Sequence, residues 1–149
     1  MRNDTNKYGI PNLGCLLGIV YQHQLALLGE TLKECVVDVT PAEYLVMRVL
    51  YKSNGLQQCE IADTLGKDKA VICRTVKTLE SKGLVTTEAV SHKCLKVFVS
   101  ARGEELKSAI MAVARKRHNA LADVLSPHEL ASLSSILNKL LNQHKNERN

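Results

Sequence analysis

Apolar positions along this chain recur with two different periods, and the change of period divides it. Between Leu13 and Leu32 the apolar residues (Leu13, Leu16, Leu17, Ile19, Val20, Leu25, Leu27, Leu28, Leu32) spread over more than one helical stripe. That spread predicts a long first helix, opened by Pro11 at its first position and running to about Cys35, that needs partners on several sides. Gly14, Gly18 and Gly29 weaken its regularity, each by roughly 1 kcal/mol relative to alanine. Residues 1–9 are expected to fray. Thr40-Pro41-Ala42-Glu43 has the form of a capping box with proline at N1. It opens a helix to about Tyr51 with Tyr44, Leu45, Met47, Val49 and Leu50 available to a core, and Ser53-Asn54-Gly55 ends it.

From Gln58 to Lys82 two short helices follow one another closely. In Gln58–Leu65, Ile61, Ala62 and Leu65 fall on one helical face, and Gly66 permits the stop. Asp68 is placed as N-cap of the next helix. That helix carries Ile72, Val76 and Leu79 on one side and Ala70, Cys73, Arg74 and Lys77 on roughly the other, at ~100° per residue. One face anchors, while the other is small and basic. This is the form of a DNA-recognition helix.

After Lys82-Gly83 the period shortens to two. Leu84–Val90 and Cys94–Val99 are β-rich runs joined by Ser91-His92-Lys93, which predicts a two-stranded hairpin. Ser100 then caps a helix bearing Leu106, Ile110, Val113, Leu121 and Val124. Ser126-Pro127-His128-Glu129 repeats the capping-box logic for a last helix with an apolar stripe of Leu130, Leu133, Leu137, Leu140 and Leu141. The fold class is mainly α with a small β-hairpin wing: a winged helix-turn-helix over 40–100, with dimerisation helices at 10–36 and 101–145 of one 1–149 chain. The greasy terminal helices would protrude from so small a domain, so a symmetric homodimer is the economical arrangement.

Charge sharpens this picture. The chain carries a formal net charge of +5. The segment from Lys67 to Arg102 contains Lys67, Lys69, Arg74, Lys77, Lys82, Lys93, Lys96 and Arg102 against Asp68, Glu80 and Glu88, so the whole excess lies there. A localised excess favours a polyanionic partner. The five cysteines (Cys15, Cys35, Cys59, Cys73, Cys94) contain no CxxC pair, which argues against a disulfide framework or zinc site and for a reducing cytoplasm. No apolar run reaches the ~20 residues of a membrane span, and the polar, mixed-charge start does not read as a signal peptide. There is no P-loop, GxGxxG, HxxxH or recognisable nucleophile motif, so no enzyme chemistry or cofactor is indicated.

The stretches TPAEYLVMRVL and IADTLGKDKAVICRTVKTLESKGLV, the strand pair, and SARGEEL resemble the MarR family of winged helix-turn-helix transcriptional regulators. The resemblance covers about Thr40 to Leu106; the terminal helices match in length and placement only. It implies a homodimer built by the outer helices, a recognition helix in the major groove of double-stranded DNA, a wing at the minor groove, and affinity switched by a small molecule or an oxidant. The DNA-binding residues are then Lys67, Lys69, Ala70, Val71, Cys73, Arg74, Lys77, Lys93 and Lys96. Ala70 and Val71 either meet a thymine methyl or simply pack. Where the family's wing has an Asp-x-Arg element, this chain has Ser91-His92-Lys93, and Lys93 takes the charge.

In a dimer of this shape, a cleft between the first, second and fifth helices would take a small apolar or aromatic effector, lined by Tyr21, His23, Tyr44, Met47, Arg48 and Met111. Cys15 stands where the hydroperoxide-sensing branch keeps its reactive cysteine. The tyrosines that serve that thiolate have no match, since Gly29 and Thr40 occupy their places. A buried cysteine acting as a small hydrophobe is the plainer reading of Cys15. Two rivals therefore remain beside a ligand-modulated repressor: a thiol-based redox regulator acting through Cys15, and a winged-helix protein-interaction module without DNA binding.

Overall fold

The computed structural model describes residues 12–147. Among them run α1 (Leu13–Glu34), α2 (Pro41–Lys52), β1 (Leu56–Gln57), α3 (Gln58–Leu65), α4 (Lys69–Ser81), β2 (Val85–Ser91), β3 (Cys94–Val99), α5 (Ala101–Ala122) and α6 (Pro127–Glu147). The expected fraying of residues 1–9 lies outside the described residues, and α1 opens at Leu13 rather than with Pro11 at its first position. Asn12 serves as the α1 N-cap, its side-chain oxygen accepting from the Gly14 amide at 2.7 Å. The chain divides into two compact units between Val113 and Ala114.

In the first unit the core is aliphatic. Leu32, Val46, Met47, Leu50, Ile61, Ile72, Val76, Leu79, Val97, Ile110 and Val113 are all but fully buried. Each such side chain contributes on the order of 1.5–3 kcal/mol through removal from water. The wing is larger than a hairpin. β1 pairs antiparallel with β3, and β3 with β2, which gives a three-stranded sheet in the order β1-β3-β2. A two-residue strand (Leu56, Gln57) has no period to read, so only its pairing with Val97 and Lys96 identifies it. Ser91 is also part of the ladder, opposite Cys94, with an irregularity between Ala89 and Ser91. The turn is therefore His92-Lys93 rather than a three-residue loop.

The α2 capping box forms as its sequence requires: the Glu43 amide donates to Thr40 Oγ1 at 3.2 Å, and the Thr40 amide to Glu43 Oε2 at 3.0 Å. Glu43 does more than cap, however. It is buried, at 4% exposure. The Lys82 ammonium donates to its Oε2 at 2.7 Å, and the Thr78 hydroxyl lies 2.9 Å from its Oε1. Lys82 also donates to the Asp38 carbonyl at 3.2 Å. One carboxylate thus joins the start of α2 to the last turn of α4. Burial works against its charge, but the bonds from Lys82, Thr40 and Thr78 and the Lys82 charge together outweigh that, holding its carboxyl below the ordinary value of 4.5.

At the other end of the wing, Gly103 in the first turn of α5 lies against Leu84, just before β2, where a Cβ would overlap the Leu84 carbonyl oxygen. Ser100 caps α5 by accepting from the Gly103 amide at 3.0 Å and donates to the Gly83 carbonyl at 2.6 Å. Tyr51 of α2 donates to the Gly103 carbonyl at 2.6 Å. Burial, helped by the Glu104 charge, pushes the Tyr51 phenol up to about 12, so it remains a donor.

α1 ends in a tight reversal, with Val37 N–H bonded to the Leu32 carbonyl at 2.9 Å. This puts Val36 at φ 56°, a left-handed conformation that a β-branched residue adopts at a cost. In the second unit, Ser126 and Glu129 form the expected capping box at 2.8 and 3.2 Å. No residue of α6 is buried, and Leu133, Ile136, Leu137, Leu140 and Leu141 are exposed. Among the described residues no helix is long and apolar enough to cross a membrane.

Two stability outcomes follow from these contacts. Glu43→Gln is expected to lower unfolding free energy by about 1–3 kcal/mol, because a buried acceptor set loses its charge. Since Glu43's value is lowered in the folded chain, its contribution is complete above 4.5 and declines as pH falls below it. Urea titrations at several pH values should show that acid loss in the parent and its absence in the variant. Val36→Gly should act oppositely, raising stability by about 1 kcal/mol in the same assay, since Val36 is 90% exposed and gives up no packing.

Candidate nucleic-acid interface

The turn between α3 and α4 depends on Gly66, whose φ of 62° is the left-handed conformation glycine adopts without strain. The Lys67 amide then closes back onto the Ala62 carbonyl at 3.0 Å. Asp68 has the extended backbone of an N-cap, but its side chain makes no capping bond, contrary to the expectation from sequence. The orientation of α4 comes instead from packing: Ile72, Val76 and Leu79 are buried as the pattern predicts, together with Thr75, whose hydroxyl donates to the Val71 carbonyl at 2.9 Å. The Glu43–Lys82 bond secures the far end of the helix.

With that face anchored, Lys69, Ala70, Arg74 and Lys77 are exposed, and Val71 and Cys73 are half-buried. Two of the wing residues, His92 and Lys93, are exposed at the turn. Lys96 is half-buried on β3, in register with Glu88 of β2. Lys69, Ala70, Cys73 and Lys93 come together around one cavity of about 350 Å³. Gln57, Gln58, Cys59, Cys94 and Leu95 complete its lining. The two glutamines were not singled out in the sequence, because nothing local marks a glutamine at a helix start as facing a wing turn.

Lys67 is set apart from this group. Its ammonium lies 5.3 Å from the centroid of the Tyr21 ring, within cation–π range. Both line a second cavity of about 430 Å³ with Gln22, Leu25, Ala26, Pro41, Ala42 and Leu45.

The residues proposed for an effector cleft are dispersed. Tyr21 lines this second cavity, whereas His23 is exposed on α1 and Met111 is half-buried on α5. Tyr44 and Met47 are buried in the core. Arg48 donates to the Tyr44 hydroxyl at 3.2 Å, with its guanidinium 5.9 Å from that ring's centroid. Cys15 is exposed near the start of α1 rather than buried as a small hydrophobe. Leu13, Leu17 and Val20 around it are exposed as well, while Leu16 and Ile19 are half-buried. Among the described residues, no group of three or more His, Cys, Asp or Glu is placed to hold a metal ion.

Comparison with known proteins adds to this geometry. Residues 37–93 match the model of the MarR family. The transcriptional regulator HosA of Escherichia coli is 24% identical over 107 residues, spanning 70% of this chain and 79% of that protein. The oxidised form of MarR from E. coli superposes with a TM-score of 0.72 at 26% identity, covering 89% of this chain and 96% of that one. The S. aureus MepR–DNA complex superposes at 0.76 with 19% identity, covering 89% and 97%.

Because Arg74 and Lys77 are exposed, their removal is expected to leave stability unchanged. Arg74→Ala and Lys77→Ala should each weaken binding to a selected duplex by on the order of 1–3 kcal/mol if they reach base edges. Thermal melts and fluorescence anisotropy check the two halves of that expectation, and unchanged affinity in both variants would move the interface elsewhere.

Proposed function

We propose that this chain, whose winged helix is of the MarR family, is a cytoplasmic repressor that binds pseudo-palindromic duplex DNA as a homodimer. The observation that carries the reading is the exposure of Lys69, Arg74 and Lys77 on α4, with Lys69 and the wing-turn Lys93 around one cavity. Cations on that face neutralise phosphates, and a small residue such as Ala70 lets the helix approach base edges. The superposable MepR structure is a complex with DNA, which supports the same use of the fold here.

The homodimer rests on separate grounds. The exposed apolar side chains of α6, and separately those of the first turns of α1, are each surface that a second copy would cover. A two-fold pair of recognition helices then reads half-sites about one helical turn apart.

A small apolar or aromatic effector modulates the affinity in this reading. The cavity between α1 and α2 suits it better than Tyr44 and Met47, which are buried in the core, or Arg48, which is bonded to Tyr44. Leu25, Pro41 and Leu45 supply apolar wall, Tyr21 an aromatic surface, and Lys67 a cation next to the turn that leads into α4. Such a ligand acts only through unequal affinity for two spacings of the recognition helices.

Selection of bound sequences from random duplex DNA tests the whole reading. A pseudo-palindrome should emerge, bound by two chains in sedimentation. Log affinity should fall with log salt at roughly −0.9 per phosphate neutralised. A flat salt dependence on the best duplex would refute DNA binding and leave the protein-interaction module as the reading of the fold.

A further inference from the structure

Three of the five cysteines come from three different elements to line one cavity: Cys59 on α3, Cys73 on α4 and Cys94 at the start of β3. All three are free and half-buried, whereas Cys15 and Cys35 are free and exposed. Lys69 and Lys93 line the same space, as does the apolar side chain of Leu95. At about 350 Å³ the cavity has the size of a small-molecule site. Reading of DNA does not call for thiols there, because a thiol is a weak donor and a weak acceptor. Metal binding does not account for them either, since the described residues hold no group placed for a metal ion.

Soft nucleophiles, ammonium groups and an apolar wall together suit one ligand chemistry. We propose that this cavity captures small α,β-unsaturated carbonyl compounds as covalent adducts of Cys73 or Cys94. The thiolate is the attacking species. Its sulfur forms a C–S bond to the β-carbon while the C=C π pair moves toward the carbonyl, giving an enolate. The ammonium of Lys69 or Lys93 is the donor available to that developing oxyanion. The α-carbon then takes a proton, so the net change is addition of S–H across the double bond with no atom lost and no redox partner. Cys59 is held differently, its thiol donating to Gln57 Oε1 at 3.4 Å.

The regulatory consequence rests on the DNA-binding reading above. An adduct fills the space between Ala70 of the recognition helix and the wing turn, so α4 and the wing no longer seat together on a duplex. Capture itself does not depend on DNA. Methyl vinyl ketone at one equivalent per chain, followed by peptide mass spectrometry of the full-length protein, tests it directly. The adduct should concentrate on Cys73 and Cys94 ahead of the more exposed Cys15 and Cys35. The doubly substituted Cys73→Ser, Cys94→Ser protein should lose that preferred labelling while keeping the parent's melting temperature. Labelling that follows exposure, with Cys15 and Cys35 leading, would overturn the site. Alkylated parent should bind its selected duplex about tenfold or more weakly than untreated parent, as expected for loss of base contacts, whereas the double variant should bind equally well before and after treatment, whatever its own starting affinity. Cavity thiols alkylated with no loss of affinity would overturn the coupling to DNA. A protein that binds no duplex even untreated would instead refute the regulator reading, leaving the labelling map to decide the capture site alone.

Discussion

A single buried carboxylate ties α4 to α2. Glu43 caps α2, accepts the Lys82 ammonium and meets the Thr78 hydroxyl. Burying such a charge without partners would cost several kcal/mol, so its presence in the core demands the whole set. Thr78 and Lys82 lie at the last turn of α4, so satisfying the carboxylate determines where that helix ends relative to α2. The apolar stripe of Ile72, Val76 and Leu79 fixes which face turns inward, but a greasy stripe alone tolerates some rotation and sliding. Directional bonds to one carboxylate do not. The exposed face bearing Arg74 and Lys77 inherits that precision.

The wing is positioned by a different kind of constraint. Gly103 is small enough to let α5 press on the Leu84 carbonyl, and Ser100 and Tyr51 bond across the same junction. β1 adds a second partner to β3, so the central wing strand is paired on both sides near its base. The base is rigid on these grounds, while His92 and Lys93 at the turn are exposed. α4 and the wing are therefore fixed by separate contacts on separate elements. The cavity between Lys69, Cys73 and Lys93 is the space left where the two supports meet. A ligand bound there would touch both α4 and the wing turn without disturbing either anchor.

The local rules of the sequence hold in detail. Both Thr/Ser-Pro-x-Glu segments cap helices, Gly66 takes the left-handed turn, and the predicted stripe of α4 is buried. The glycines of α1 do not interrupt it, because a helix of that length distributes the loss over many other hydrogen bonds. Where local reading fell short, the missing information lay at long range. β1 is recognisable only through its partner. Asp68 lies at a capping position with extended backbone, yet its side chain makes no capping bond.

By itself, then, the sequence determined the order and type of the main helices, the hairpin strands, the inward face of the recognition helix and the concentration of positive charge around it. These are properties of spacing and local hydrogen bonding, which act within a few residues. The tertiary structure alone decided that Glu43 serves α4 as well as α2, and that Lys67 turns to Tyr21 instead of joining Lys69. It also decided that Cys59, Cys73 and Cys94 share one cavity while Cys15 stands exposed. The physical reason is common to all of these: each depends on which side chains from distant segments meet when packed faces and strand registers are set, and no periodicity along one segment encodes its partner.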